Sequence, residues 1–156
     1  MLDILSNNQT KILENKNETS SFNSILKIQF CQLSGGAYFS DTGRCYVYYK
    51  KDVTTVTWDD ARTECKNKGG DLATIANQDT HDFLVSFVNI QNSYCWIGAE
   101  RNSGVWSWAD GTPWTEFVKW QSGEPNNSGD VGVYLSKDYK WIDYSKVYST
   151  YYLCEF

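Results

Sequence analysis

The chain reads as a domain of mixed helices and strands behind a polar N-terminal segment. Two short stretches carry helical periodicity between clear start and stop signals, and several β-type runs bracket them. The composition is 16% aromatic, enough to fill a folded core and to exclude global disorder. At 156 residues one domain is expected with a short appendage, divided near residue 30 into segments 1–30 and 31–156.

Residues 1–30 are rich in Asn, Ser, Thr, Lys and Glu and contain no Trp, Tyr or Cys. Leu5, Ile12, Thr19 and Leu26 recur every seven residues, with Asn8, Asn15 and Phe22 between them. An oligomerising neck is one reading of that repeat. Successive Asn residues at d-like positions and the lack of clear e/g charges favour the other, a mobile tail with a short helix or strand over 22–30.

Beyond the tail, Tyr46-Val47-Tyr48-Tyr49 is a β-type run bounded by Thr42-Gly43 and Lys50-Lys51-Asp52. Thr57 can cap a helix over 58–66. Asp59 and Asp60 suit its N-terminal end, Gly69-Gly70 stops it, and Trp58, Ala61 and Cys65 share its buried face. A second helix is predicted over 78–89, with Phe83, Leu84, Phe87 and Val88 inward. Cys95-Trp96-Ile97-Gly98 reads as a short buried strand. Gly, Asn, Asp, Ser and Pro then recur through residue 130 and predict a long loop region. Inside a compact domain such a segment is usually functional. Residues 139–141 and 150–156 read as closing strands.

Charge and cysteine content narrow the function classes. A net charge of −5 with scattered basic residues argues against a nucleic-acid partner. No apolar run approaches the roughly 20 residues of a membrane helix, so membrane insertion is not expected. No signal peptide is visible at the start of the sequence. Five cysteines nonetheless suggest an oxidising compartment, and the sequons at Asn8, Asn17 and Asn126 fit a secreted glycoprotein whose leader has been removed or is missing from this sequence.

The candidate site lies late in the chain. Gly123-Glu124-Pro125-Asn126-Asn127 is followed by Trp141-Ile142-Asp143, which sets a carboxylate, an amide and a second carboxylate on one loop surface. Asp130, between them, is a further possible ligand. Oxygens of this kind are what a hard cation such as Ca²⁺ selects. The only histidine, His81, reads as a surface residue rather than a catalytic base. No phosphate loop, zinc-type spacing or Ser/His/Asp constellation is present.

These segments occur in a family order: Trp58…Cys65, Gly69-Gly70-Asp71-Leu72-Ala73-Thr74-Ile75, Trp96-Ile97-Gly98, Trp106-Ser107-Trp108-Ala109-Asp110-Gly111, Trp120 to Asn126, Trp141-Ile142-Asp143 and Cys154-Glu155-Phe156. Together they resemble a C-type lectin-like domain from about Cys31 to Phe156. The resemblance implies an α+β fold, two helices flanking small antiparallel sheets, with a long loop region presenting the ligand site.

Pairing four of five cysteines allows 15 schemes, and the residues alone do not choose among them. The resemblance implies Cys65–Cys154, with Cys31–Cys45 clipping an N-terminal hairpin. The family's second core bridge is absent at both ends, where Gly132 and Lys146 stand, and a looser segment behind the loop is expected. Cys95 is left over, either a buried thiol beside Trp96 or the half of an intermolecular disulfide.

Glu124 and Asn126 match the family's Glu-Pro-Asn tripeptide, associated with mannose, glucose, N-acetylglucosamine and fucose-type ligands. The resemblance implies a cis bond before Pro125, a third acidic ligand in Asp130, and a side-chain oxygen and backbone carbonyl from Asp143. Each sugar hydroxyl would coordinate Ca²⁺ while bonding to the same ligand set. Ile142 replaces the Asn of the family's Trp-Asn-Asp motif and offers no oxygen. Asn126 also begins a sequon, and the unmodified side chain is the expected form. Trp114 and Phe117 are candidates for a contact surface.

The expectation is therefore a secreted, non-enzymatic module that binds glycans through calcium, with possible homo-oligomers through Cys95 or the N-terminal segment. The alternative is a calcium-independent domain recognising a protein or other non-sugar ligand.

Overall fold

The computed structural model describes residues 2–49, 56–87, 94–129 and 131–156, with side chains from residue 15 onward. Helix α1 (Leu2–Leu33) leads into a hairpin of β1 (Ala37–Phe39) and β2 (Arg44–Tyr49). Helix α2 (Trp58–Asn67), the short β3 (Asp71–Leu72) and helix α3 (Gln78–Phe87) follow. Strands β4 (Cys95–Asn102) and β5 (Val105–Trp108) precede the loop region, and β6 (Val131–Leu135), β7 (Trp141–Ser145) and β8 (Tyr151–Glu155) close the chain. The fold is α+β.

The N-terminal segment is one helix, not a tail with a short element. Nothing in 1–33 breaks a helix: the first Gly is Gly35 and no Pro precedes it. Gly35 takes φ +68°, and the amides of Ser34, Gly35 and Gly36 return to the Phe30, Gln32 and Cys31 carbonyls. That left-handed turn ends the helix in the way glycine allows. The Cys31–Cys45 disulfide then ties the helix to β2.

α2 follows its sequence signals. Thr57 accepts the Asp60 amide hydrogen at 3.2 Å, Asp59 and Asp60 occupy the first turn, and Trp58, Ala61 and Cys65 are buried. α3 is rotated from expectation. Thr80, His81 and Leu84 are buried, whereas Phe87 is 64% exposed and Val88 lies outside the described residues. Phe83 explains the rotation: its ring stacks on Phe39 at 4.5 Å and Phe87 leans on it from outside at 4.6 Å. His81 is thus a buried residue, not a surface one, with Nε2 donating to the Tyr139 carbonyl at 3.0 Å.

Among the described residues the strands form one sheet in the order β1-β2-β8-β4-β6-β7, with β3 on β8 and β5 on β4. All pairs are antiparallel except β4 with β8. Alternation along the central strands feeds two cores. Ile97, Val133, Leu135, Trp141 and Leu153 face one cluster, covered by α3 and the loop aromatics. Trp96, Tyr134, Tyr152 and Cys154 face the other, covered by α2.

Two strands escaped the sequence reading. β5 lies in the stretch read as loop, and Val131-Gly132-Val133-Tyr134-Leu135 is a fully buried run with no polar alternation to mark it. Of the closing strands, β7 begins only at Trp141, because Tyr139 turns the chain with φ +55°.

The expected disulfides are both present, and Cys95 is a buried free thiol. Cys65–Cys154 spans 89 residues, worth on the order of 4–5 kcal/mol by loop entropy. The region of the missing third bridge is filled rather than loose. A Cβ on Gly132 would meet Trp58 Cδ1 at 2.5 Å, so the indole occupies the space a cysteine would need.

Candidate functional site

The loop is held to the sheet through Trp141. The Trp141 amide donates to the Lys119 carbonyl at 2.8 Å, and Gln121 donates to the Trp141 carbonyl at 2.9 Å. The rings of Trp114, Phe117 and Trp120 all lie within 6.0 Å of the buried Trp141 ring. Trp114 and Phe117 are therefore half-buried packing residues, not the exposed contact surface expected of them. Their work is to carry the loop at a fixed height over β7.

Past Gln121 the chain turns back. Glu124 donates its amide hydrogen to the Gln121 carbonyl at 2.9 Å, and the Glu124–Pro125 bond is cis. The next two residues close on the fully buried Asp143. The Asn126 amide donates to Asp143 Oδ1 at 2.9 Å and the Asn127 amide to Oδ2 at 3.0 Å. The Asn127 side chain donates to the Asp143 carbonyl at 2.6 Å. Successive backbone N–H groups thus cradle the carboxylate. Burial opposes its ionisation, but the contact with Glu124 and the hydrogen bonds from Asn126 and Asn127 outweigh burial and hold Asp143 below the usual carboxylate range.

Glu124 is the counterpart. Oε1 accepts from Asn126 Nδ2 at 2.9 Å, while Oε2 is buried with no hydrogen-bond partner. Desolvation, then its contact with the Asp143 carboxylate, pushes its pKa up to about 6. A buried carboxylate oxygen beside a second, ionised carboxylate lacks a positive charge. That is the electrostatic signature of a cation position, and the donor set suits a hard ion. Glu124 and Asp143 supply carboxylate oxygens, and Asn126, with its Nδ2 engaged, leaves its amide oxygen free.

The structure therefore brings Glu124, Asn126 and Asp143 together. Asp130 lies outside the described residues. Among the described residues no three His, Cys, Asp or Glu side chains gather as a metal cluster. The Asp143 backbone carbonyl, expected as a ligand, is already engaged by Asn127. Ile142 is half-buried and packs against the second core cluster.

Two residues that shape this loop were not foreseen. Asn127 grips Asp143 from both ends, although nothing but its place beside Asn126 marks it in the sequence. Arg101, on β4, donates to the Asn127 and Gly129 carbonyls at 2.6 and 3.0 Å and lies 5.5 Å from the Trp106 ring. It clamps the loop from the neighbouring strand, a relationship no local pattern reveals.

The Lectin C-type domain family model matches residues 54–156. The chain belongs to the C-type lectin domain family. Domains of this family are non-enzymatic binding modules. Among curated relatives, CD209 antigen-like protein A of Mus musculus is 32% identical over 117 residues, 72% of this chain and 48% of that protein. The chain spans no more than about half the length of the CD209-like relatives it matches.

Two solved structures frame the loop. The cow carbohydrate-recognition domain of CD23, determined in the presence of a GlcNAc2Man3 oligosaccharide, superimposes with a TM-score of 0.64 at 28% identity. It covers 78% of this chain and 92% of its own. A calcium-independent type II antifreeze protein superimposes with a TM-score of 0.65, also at 28% identity, over 78% and 91% of the two chains. The lectin-type scaffold of this chain is thus shared by a carbohydrate-recognition domain and by an antifreeze protein.

Proposed function

We propose that this lectin-type domain binds glycans through a calcium ion held by Glu124, Asn126 and Asp143, with Asp130 as a further acidic ligand. The observation that supports the reading is the buried Glu124 Oε2, left without a hydrogen-bond partner in a carboxyl group that contacts Asp143. A bound cation would complete that pair. Such an ion would supply open coordination positions for two neighbouring sugar hydroxyls. Glu124 then accepts from one hydroxyl, and the Asn126 amide, turning from Glu124, donates to it. The Glu-Pro-Asn sequence supports ligands with equatorial vicinal hydroxyls: mannose, glucose, N-acetylglucosamine and the equivalent pair of fucose. Two disulfides support a secreted setting, with Asn126 unglycosylated.

The test is retention on mannose-agarose in calcium, followed by elution with EDTA. Glu124→Gln removes one charge without changing shape and is expected to abolish retention while the domain stays folded. Retention that survives chelation would sink this reading.

One observation favours a second. Ile142 brings no oxygen, which leaves the metal with fewer protein ligands, and the similarity to a calcium-independent antifreeze protein supports a loop that works without the ion. In that reading the loop grips a protein or other non-sugar surface, and calcium titration yields no heat at millimolar concentration.

A further inference from the structure

Buried hydroxyls gather at one place outside the Glu124, Asn126 and Asp143 site. Tyr46 is 1% exposed, Thr80 3% and Thr74 4%, and all three line one cavity of about 280 Å³. Four segments meet there. The β1–β2 hairpin supplies Thr42, Arg44 and Tyr46, the β3–α3 connection Thr74, the first turn of α3 Thr80, and the chain after β5 Thr112. Positions this deep normally hold hydrocarbon, because a hydroxyl taken from water costs free energy unless it is bonded.

Most of these groups have partners. Tyr46 lies beside the Thr42 and Thr80 hydroxyls. Thr112 turns to Asp110, donating its amide hydrogen to Oδ1 at 2.9 Å and its hydroxyl hydrogen to Oδ2 at 2.8 Å. The Thr80 amide donates to Asn77 Oδ1 at 2.8 Å, which leaves the Asn77 side-chain NH2 as a donor at the rim. Thr74 is the exception. Its hydroxyl approaches the Asp110 carboxylate without closing a hydrogen bond, and no other group among the described residues satisfies it. It carries the cost of desolvation with no bond to offset it.

The charges decide what the cavity takes. Arg44 is its one charged wall, and Nη1 already bonds Glu155 Oε1 and, at 3.4 Å, Asp110 Oδ2. Both carboxylates line the recess behind Arg44, and neither lines the cavity. An anion would meet two carboxylates behind a single guanidinium. A cation would meet the guanidinium with no carboxylate at hand. An uncharged occupant remains, one that donates and accepts at several points as hydroxyls do. The volume falls just under the roughly 300–1,000 Å³ of pockets for drug-sized ligands, which leaves room for a single ring.

We infer that this cavity binds one ring of an uncharged polyhydroxylated molecule, a cyclic polyol or a single pyranose, and that the ligand satisfies the Thr74 hydroxyl. The inference stands whether or not the Glu124 loop binds calcium.

The test is a titration of the isotope-labelled full chain with myo-inositol and with methyl α-D-glucopyranoside, read by amide chemical shifts in EDTA, which keeps calcium from the loop. Saturable shifts at Thr74, Thr80 and Thr112 are expected in the millimolar range. A response to myo-inositol alone assigns the site to a free polyol, and a response to the glycoside assigns it to a sugar carried on a glycan. Thr74→Val removes only the unbonded hydroxyl, so the melting temperature is expected to hold or rise while affinity falls about tenfold. Thr42→Trp, at the exposed rim, is expected to block entry and abolish the shifts, an independent check on the place of binding. No saturable shift with either probe, tighter binding of inorganic phosphate than of both, or a folded Thr74→Val variant that binds as before would overturn the inference.

Discussion

The ammonium of Lys146 lies 4.4 Å from the centroid of the Trp58 ring. Lys146 and Gly132, which the ring also meets, stand where the family resemblance places the two cysteines of a second core bridge. Gly132 lets the indole approach its backbone, Lys146 covers the ring, and the same ammonium bonds Glu100 Oε2 at 2.5 Å. A covalent staple is thus replaced by a cation–π contact and a largely buried ion pair. Loss of both cysteines is coherent because the space and the connection are taken over together.

Lys146→Ala is expected to cost roughly 3 kcal/mol in urea unfolding, because it leaves the buried Glu100 carboxylate with the Asn102 amide but without its positive partner. Gly132→Ala is expected to cost roughly 1–3 kcal/mol by overpacking against Trp58. Near-neutral behaviour of both variants would show that the ring is free to move.

Arg101→Ala removes two hydrogen bonds to loop carbonyls while touching none of the proposed calcium ligands. A loss of about 1–3 kcal/mol of calcium affinity is expected, read by calorimetry, from the loosened Asn127–Gly129 segment. Arg101→Lys should recover only part of it, since an ammonium lacks the planar fork. Unchanged affinity would mean that the loop holds its shape without the clamp.

Ile142→Asn adds an amide oxygen next to Asp143 and gives up packing against the second cluster. Calcium affinity is expected to rise about tenfold, equivalent to about 1.4 kcal/mol. A folded variant that binds calcium no better would remove Ile142 from the account of the site.

Glu155 gives the domain a pH dependence of its own. Burial pushes its pKa up to about 7, although Arg44 and the Thr74 amide oppose the shift. The folded state then binds more protons than the unfolded chain between the ordinary glutamate value and about 7, so stability falls as pH rises through that window. Melting temperature is expected to be higher at pH 5 than at pH 8. Glu155→Gln should flatten the difference, and a slope that survives in that variant assigns it to another group.

Cys95 is fully buried, and burial pushes its thiol well above the ordinary range. Ellman's reagent is expected to leave it untouched in the native protein and to modify it in guanidinium. The chain should run as one copy on non-reducing denaturing gels. Rapid native labelling would contradict the buried position.

The two halves of the problem were unequally legible. α2 was readable because its cap, first-turn acids and stop lie within a dozen residues of one another. The order of Trp, Gly and Cys motifs carried the family, and the sequence also named Glu124, Asn126 and Asp143, which the fold brings together. His81 and Phe87 were misplaced because the rotation of α3 is set by Phe39, a residue distant in sequence. β6 was missed because a strand buried on both faces has no alternation to read.

Local chemistry, then, was legible in the sequence: Thr57 caps α2, its first-turn acids and its Gly stop bound it, and Glu124, Asn126 and Asp143 carry the oxygens that meet in one loop. Tertiary structure alone decided that Asp143 is cradled by two backbone amides and that Arg101 reaches across from β4. Short-range signals depend on a few neighbouring residues and survive in a string of letters. Orientation and desolvation depend on groups brought together by folding, so they exist only once the chain has closed on itself.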